Sequence, residues 1–333
     1  MLLHRDDKSW WIVTPAKINL FLEVVDQRPD GFHNLDTVML AVSLCDQLRF
    51  RPTATSGIRL ALSSSNPQGF TKLSKDDFAW EIPTDSTNLV VRALESLRQR
   101  FGIAGGMEIE LIKAIPAQAG LGGGSSNAAA AIVGGMLAWL GRLQMPEAIE
   151  LASELGSDIN FFIEGRVSGT GTKNWLAHCV GRGEVVDPIS SDWSFELVVV
   201  HPPNGCSTKA IFDRLAATQM PDQESRSSQG TLQALERRDL PALAKSMFNR
   251  LEMPAAAETP WIKRIQEYLA EEPGVLGSCV SGSGSAVVAI VESEGKSNKV
   301  IERLRKQLSV RAFAVRSWQT PSISEQLATF RVD

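Results

Sequence analysis

The sequence has no excess of either charge sign, no clustered cysteines, no long apolar run and no internal repeat, and each absence narrows its reading. Thirty-four Lys and Arg against 38 Asp and Glu leave a net charge of −4 over 333 residues. That balance gives no general attraction to nucleic acid or to an anionic membrane surface. Cys45, Cys179, Cys206 and Cys279 are the four cysteines, and they stand far apart. No CxxC zinc or redox motif exists, and scattered cysteines suit a reducing compartment. Met1–Trp11 carries His4, Arg5, Asp6, Asp7 and Lys8 instead of an apolar signal core. The longest apolar stretch, 128–140, is too short and too interrupted by glycine to span a bilayer. These features predict a cytoplasmic globular protein with no nucleic-acid or membrane partner. Its length suits two domains and a large core.

Alternation and β-branched residues predict strands over 10–13 and 15–25, a further apolar run over 37–44 and more strand over 48–62. Arg28-Pro29-Asp30-Gly31 reads as a turn, and 63–83 as a polar surface insertion. Asn88 precedes helical spacing at Leu89, Val90, Ala93, Leu94 and Leu97. A strand over 107–112 leads through a glycine-rich loop into an alanine-rich helix from Ser125, and 146–155 forms another helix. In the second half, strands are predicted at 195–200, 279–281 and 286–291, and helices at 209–216, 231–248, 262–269 and 298–308. The polar stretch 219–230 reads as a mobile loop. Strands and helices mix in both halves, so the class is α+β.

The loop Gly120-Leu121-Gly122-Gly123-Gly124 holds four glycines in five positions and is followed by Ser125 and Ser126. Glycine lets the backbone turn with positive φ and approach a ligand closely. The helix that follows offers unpaired N–H groups and the positive end of its dipole. Together they describe an anion site. No lysine precedes Ser125, so it is not a Walker A loop. A serine stands where the dinucleotide fingerprint needs its last glycine. On spacing alone, a plain glycine-rich surface turn fits as well.

The segment 116–131 resembles the ATP loop of the GHMP kinases, and two further motifs of that family stand in the family's order. Pro15-Ala16-Lys17-Ile18-Asn19-Leu20 lies near the N-terminus and Val280-Ser281-Gly282-Ser283-Gly284-Ser285-Ala286 near the C-terminus, about 270 residues apart. The segments 28–37, 87–90, 113–116, 156–162, 181–184 and 249–252 narrow the resemblance to members that act on a cytidyl diphosphate sugar alcohol. It extends from about residue 12 to about 292. Departures are Phe32 where tyrosine is frequent, Ile159 and Asn160 where valine and proline are usual, and longer stretches at 63–79 and 167–175.

The resemblance implies an α+β GHMP kinase fold of two domains. Residues 1–187 would form a ribosomal protein S5 domain 2-like unit and 188–333 a ferredoxin-like unit. It implies transfer of the γ-phosphoryl of ATP, with Mg2+, to the 2-hydroxyl of 4-diphosphocytidyl-2-C-methyl-D-erythritol in non-mevalonate isoprenoid biosynthesis. A homoserine or mevalonate type of GHMP kinase, or a binding protein of this fold without catalysis, is the alternative. The chain would act as a monomer or homodimer.

Asp158, otherwise a helix-terminal acid, becomes the catalytic base, and Lys17, otherwise a lysine snorkelling from a strand, becomes its partner. Asn88, Leu89, Lys113, Pro116, Ala119, Gly120, Leu121, Gly122, Gly123, Gly124, Ser125 and Ser126 match positions that hold ATP. Asn88 is equally suited to cap a helix. Asn19, Phe32, His33, Asn127, Thr208, Phe212, Ser281, Gly282 and Ser283 match positions that hold the second substrate. Phe32 and Phe212 would sandwich a pyrimidine that His33 hydrogen-bonds, although Phe212 also suits a plain core. No magnesium carboxylate follows from spacing, and Ser125 and Ser126 are the candidates.

Overall fold

The computed structural model describes residues 1–63, 80–166, 170–217, 225–293 and 295–330. The first lobe holds β1 (Leu2–Arg5), β2 (Trp10–Gln27), β3 (His33–Thr53), β4 (Ile58–Leu62), α1 (Leu89–Arg100), β5 (Gly106–Ile112), α2 (Gly123–Leu140), α3 (Met145–Leu155), α4 (Ile159–Glu164), β6 (Lys173–Asn174), β7 (Leu176–Gly181) and β8 (Val185–Pro188). Its frame is the long antiparallel hairpin of β2 and β3, which closes through the predicted turn at Arg28–Gly31. The sheet runs β1-β2-β3-β5-β4. One end of β3 pairs with β5 and the other with β7, which continues to β8.

The alternation along β2 decides what faces where. Ala16, Ile18 and Leu20 enter a core shared with the second lobe, whereas Lys17 and Asn19 line a cleft. Helix α2 is buried along most of its length and covers the sheet. Its small residues permit a close approach: a Cβ at Gly134 would stand 2.5 Å from the Phe50 ring.

The second lobe holds β9 (Glu196–His201), α5 (Thr208–Ala217), α6 (Gln229–Arg237), α7 (Leu240–Ser246), β10 (Phe248–Asn249), α8 (Glu252–Glu258), α9 (Pro260–Glu271), β11 (Val275–Val280), β12 (Val287–Val291), α10 (Lys296–Gln307) and β13 (Arg311–Arg316), after which come β14 (Gln319–Thr320) and α11 (Ile323–Thr329). Its antiparallel sheet runs β11-β12-β9-β13. With helices between β9 and β11 and between β12 and β13, this is the ferredoxin-like βαββαβ order. The chain then returns to the first lobe. Strand β14 pairs with β6, and Gln326 of α11 hydrogen-bonds Leu3 and Met1 through its amide.

Several sequence expectations change. The helix read over 231–248 is two helices. Arg238 adopts a left-handed conformation (φ 55°) that closes α6, and Asp239 accepts from Ala242 N–H to start α7, whose second residue is Pro241. The strand read over 48–62 is the end of β3 and all of β4, separated by a turn at 54–57. Strands β7 and β13 and helix α8 were not foreseen. The insertion read over 63–83 lies outside the described residues at 64–79. So do 167–169 of the stretch 167–175 and 219–224 of the loop read over 219–230. The remainder of that loop is anchored: Arg226 N–H donates to Glu23 (2.9 Å), Ser228 N–H donates to Asp36 (3.0 Å), and α6 begins at Gln229.

The lobes are tied by a bidentate pair. Arg250 donates to both oxygens of Glu23 at 2.6 Å, with side-chain exposures of 11% and 1%. Breaking a buried pair leaves a charge without compensation and costs roughly 3–5 kcal/mol. Arg250→Ala should therefore lower the unfolding free energy by about that amount in urea denaturation. Lys263→Ala, which removes an exposed pair with Glu267, should change it by less than about 0.5 kcal/mol. Equal effects would remove this pair as an inter-lobe tie.

Candidate active site

The cleft between the lobes has a volume of about 840 Å3, in the range of a site for small molecules. The three glycine-bearing or lysine-bearing segments meet at its floor. Lys17 N–H donates to Leu121 O (2.9 Å), Ala286 N–H donates to Ala119 O (3.1 Å), and Ser281 Oγ donates to Gly120 O (3.0 Å). Gly120 has φ +72°, and a Cβ there would stand 1.9 Å from Ser281 O. Only glycine fits that contact. Gly122 (φ +66°) caps α2, so the loop feeds directly into the helix N-terminus.

Lys17 Nζ lies 3.2 Å from Asp158 Oδ2 and donates to Asn19 Oδ1 at 2.8 Å. Its side chain is nearly buried, and that of Asp158 is about one-third exposed to the cleft. Asn19 Nδ2 donates to Thr37 Oγ1, which donates to Phe21 O, so the lysine's neighbour is fixed in turn. Asp158 stands at the start of α4. Asn160, two residues on, donates to Ser153 Oγ (2.8 Å) and Glu184 O (3.1 Å). A proline there could make neither bond. Cys179 lies nearby, but burial, and then the Asp158 charge, push its thiol up to about 12. It is no thiolate nucleophile.

At the other end of the cleft, His33 stacks on Phe212 with ring centroids 4.9 Å apart. Phe32 is half exposed and lies against the Arg182 guanidinium. In this structure Phe212 thus stacks on His33, and Phe32 lies apart from it against Arg182. The Phe212 ring also packs in part against the second-lobe core. Thr208 Oγ1 and Ser283 Oγ, 2.9 Å apart, link α5 to the turn after β11. Asn127 is 3% exposed and lines the cleft, and its Oδ1 has no hydrogen-bond partner among the described residues.

Leu89, Pro116, Ala119 to Ser125, Gly282 and Ser283 also line the cleft. Two expected hydroxyls do not. Ser126 Oγ is buried and donates to Pro15 O (2.6 Å), 2.5 Å from Thr14 Oγ1, because the helix turn aims it at β2. Ser281 is buried behind the loop, bonded to Gly120 O. Asn88 lines the cleft but caps α1: Oδ1 accepts from Val90 N–H and Nδ2 donates to Pro83 O. Lys113 is drawn beneath the loop by Asp46 (2.6 Å) and Ile115 O.

Sequence reading missed the braces. Asp46, fully buried, also accepts from Ala114 and Ile115 N–H. Asn249 donates to Val280 O and Gly282 O, both at 2.7 Å. Gln118 lines the cleft with φ +53°, a conformation uncommon for a non-glycine residue. A lone carboxylate ending an apolar run was the available signal for Asp46. Asn249 and Gln118 lie in segments that carry the family resemblance, 249–252 and 116–131, but neither is singled out there.

Comparison with known proteins accords with this geometry. The GHMP kinases N-terminal domain matches residues 88–166, and the GHMP kinases C-terminal domain matches 231–310. The chain belongs to the GHMP kinases. Within that family it is similar to 4-diphosphocytidyl-2-C-methyl-D-erythritol kinases. The one from Pelotomaculum thermopropionicum is 35% identical over 87% of this chain and 92% of the relative. The one from Rhodopirellula baltica is 35% identical over 90% and 92%. A crystal structure of 4-(cytidine 5'-diphospho)-2C-methyl-D-erythritol kinase superposes with a TM-score of 0.70 at 29% identity, covering 92% of this chain and 99% of that one. Homoserine kinase from Cytophaga hutchinsonii, at 17% identity and a TM-score of 0.66 over 97% and 98%, shares the fold.

The loop contact gives a stability test. Gly120→Ala should destabilise the fold by at least about 1–2 kcal/mol from the left-handed backbone alone, before the clash with Ser281. Gly124→Ala, whose Cβ would meet nothing closer than 3.6 Å, should stay within about 0.5 kcal/mol or gain slightly from helix propensity. Thermal melting of both variants checks this, and equal melting temperatures would contradict the tight contact.

Proposed function

We propose that the chain transfers the γ-phosphoryl group of ATP to the 2-hydroxyl of 4-diphosphocytidyl-2-C-methyl-D-erythritol, a step of non-mevalonate isoprenoid biosynthesis. The observation that carries it is the Lys17–Asp158 pair at the floor of a cleft with a glycine loop on one side and an aromatic cluster at one end. The glycine loop and the α2 N-terminus hold the triphosphate through backbone N–H groups. The acceptor hydroxyl lies at Lys17 and Asp158. Its oxygen bonds to the γ-phosphorus as the bond to the β–γ bridging oxygen breaks, and ADP leaves. Asp158 takes the hydroxyl proton, and Lys17, held by Asn19, fixes Asp158 and offsets the developing negative charge. Catalysis is positioning plus charge stabilisation.

Among the described residues no group of three or more His, Cys, Asp or Glu is gathered to hold a metal. The cleft offers the Ser125 hydroxyl, the Asp158 carboxylate and the unpartnered Asn127 Oδ1. That sparse oxygen set suits Mg2+, which keeps waters and takes most of its ligands from substrate phosphates. When bound, Mg2+ neutralises charge on the phosphates. Phe32, His33 and Phe212 form the cytosine end, and opening of the His33–Phe212 stack would admit the base. A homoserine or mevalonate substrate has no base to fill it.

The division at 187/188 into a nucleotide-loop domain and a ferredoxin-like domain belongs to the same proposal. The four cysteines are unpaired, and among the described residues no helix is long and apolar enough to cross a membrane. Both support a cytoplasmic enzyme. The same proposal has the chain act as a monomer or homodimer.

Asp158→Ala should cut turnover with the cytidyl substrate by roughly 100- to 10,000-fold while the ATP-induced melting shift stays near that of the wild type. Steady-state kinetics with calorimetry tests this, and near-normal turnover would remove Asp158 as the base.

A further inference from the structure

The turn Gly181–Glu184 touches both ends of the cleft. On one side, a Cβ at Gly183 would stand 3.7 Å from Asp158 Oδ1. On the other, the Arg182 guanidinium lies 4.9 Å from the centroid of Phe32, within cation–π range. Glu184 fixes the turn: one carboxylate oxygen accepts from Arg182 N–H (2.5 Å) and the other lies 3.4 Å from Arg182 Nε. Asn160 anchors the same turn through Glu184 O. The Arg182 side chain is about one-quarter exposed.

Phe32 itself has little else to hold it. It is 51% exposed and, unlike tyrosine, has no hydroxyl to tether its ring. Its backbone N–H donates to Asp30, which pairs with Arg28, so these bonds hold the backbone of the hairpin tip and not the ring. The Arg182 guanidinium lies over one face of the ring, and Phe32 lines the cleft, so the other face can meet a flat ligand.

We propose that Arg182 is a positioning residue for the cytidyl substrate: it holds one face of Phe32 and so presents the other as a platform for the base. The proposal rests on the functional reading above. It assigns to Arg182 an effect exerted through Phe32, without direct contact to the substrate phosphates. An attraction of this kind corresponds to about 2- to 30-fold in an equilibrium constant.

The test is a double-mutant cycle on the full chain with Arg182→Gln, Phe32→Leu and both together. Steady-state kinetics are measured with ATP and 4-diphosphocytidyl-2-C-methyl-D-erythritol at two salt concentrations, and CMP affinity by calorimetry. Arg182→Gln should raise the KM for the cytidyl substrate and the Kd for CMP by about 3- to 10-fold, with kcat and the KM for ATP within twofold. In the Phe32→Leu background it should have no further effect. If the Arg182→Gln loss persists there and shrinks at high salt, the guanidinium acts on phosphate directly and the proposal is overturned. A fall in kcat, or an equal rise in the KM for ATP, marks a structural lesion and also overturns it. A wild-type chain inactive on the cytidyl substrate overturns the functional reading itself, whereas active wild type with additive losses overturns the platform alone.

Discussion

Gly120 against Ser281 is the contact on which the rest of the site depends. It joins the loop that begins α2 to the turn between β11 and β12, and the backbone bonds from Lys17 to Leu121 and from Ala286 to Ala119 lie on either side of it. Three segments spread over about 270 residues of sequence are thereby locked into one floor. Close packing of two backbones leaves no room for a side chain. In return, the N-terminus of α2 and the Lys17 ammonium open into the same cleft, and a Cβ at Gly282 would stand 3.5 Å from Lys17 Nζ.

Charge within the cleft is arranged by pairing. Lys17, Lys113, Arg182 and Lys209 are the cations among its lining residues, and each has an acidic neighbour. Lys113 is held under the loop by a fully buried Asp46, which makes it a brace for the segment 113–115. Lys17 differs from Lys113 in that its acidic partner is open to the cleft rather than fully buried. A lysine carboxylate pair half shielded from water, with Asn19 fixing the ammonium, suits the proposed proton transfer at that end. The aromatic end, by contrast, is held by stacking and cation–π contacts that can open.

Much of this was legible in the sequence, for identifiable reasons. The β2 alternation placed Lys17 and Asn19 on one face because strand periodicity is strict. The glycine cluster announced a tight turn into a helix N-terminus, because positive φ and a close backbone approach favour glycine. Side-chain direction was less legible. Ser125 and Ser126 are adjacent in sequence, yet the helix turn sends one toward the cleft and the other into β2. Asn88 suited two roles, and its side chain is consumed by the helix cap. The break between α6 and α7 hinges on Arg238 and Pro241, where a continuous apolar pattern concealed a backbone reversal. The bracing roles of Asp46 and Asn249 were not legible because their partners are backbone groups brought close only by the fold.

On this reading the cleft phosphorylates a cytidyl sugar alcohol and no base-free alcohol. The most direct measurement is ATP-dependent phosphoryl transfer by the purified chain to 4-diphosphocytidyl-2-C-methyl-D-erythritol, homoserine and mevalonate, with the product site assigned by phosphorus NMR. Turnover with the cytidyl substrate alone, and phosphate on its 2-hydroxyl, is the predicted result. Comparable or greater turnover with homoserine or mevalonate, or no transfer to the cytidyl substrate, would contradict it.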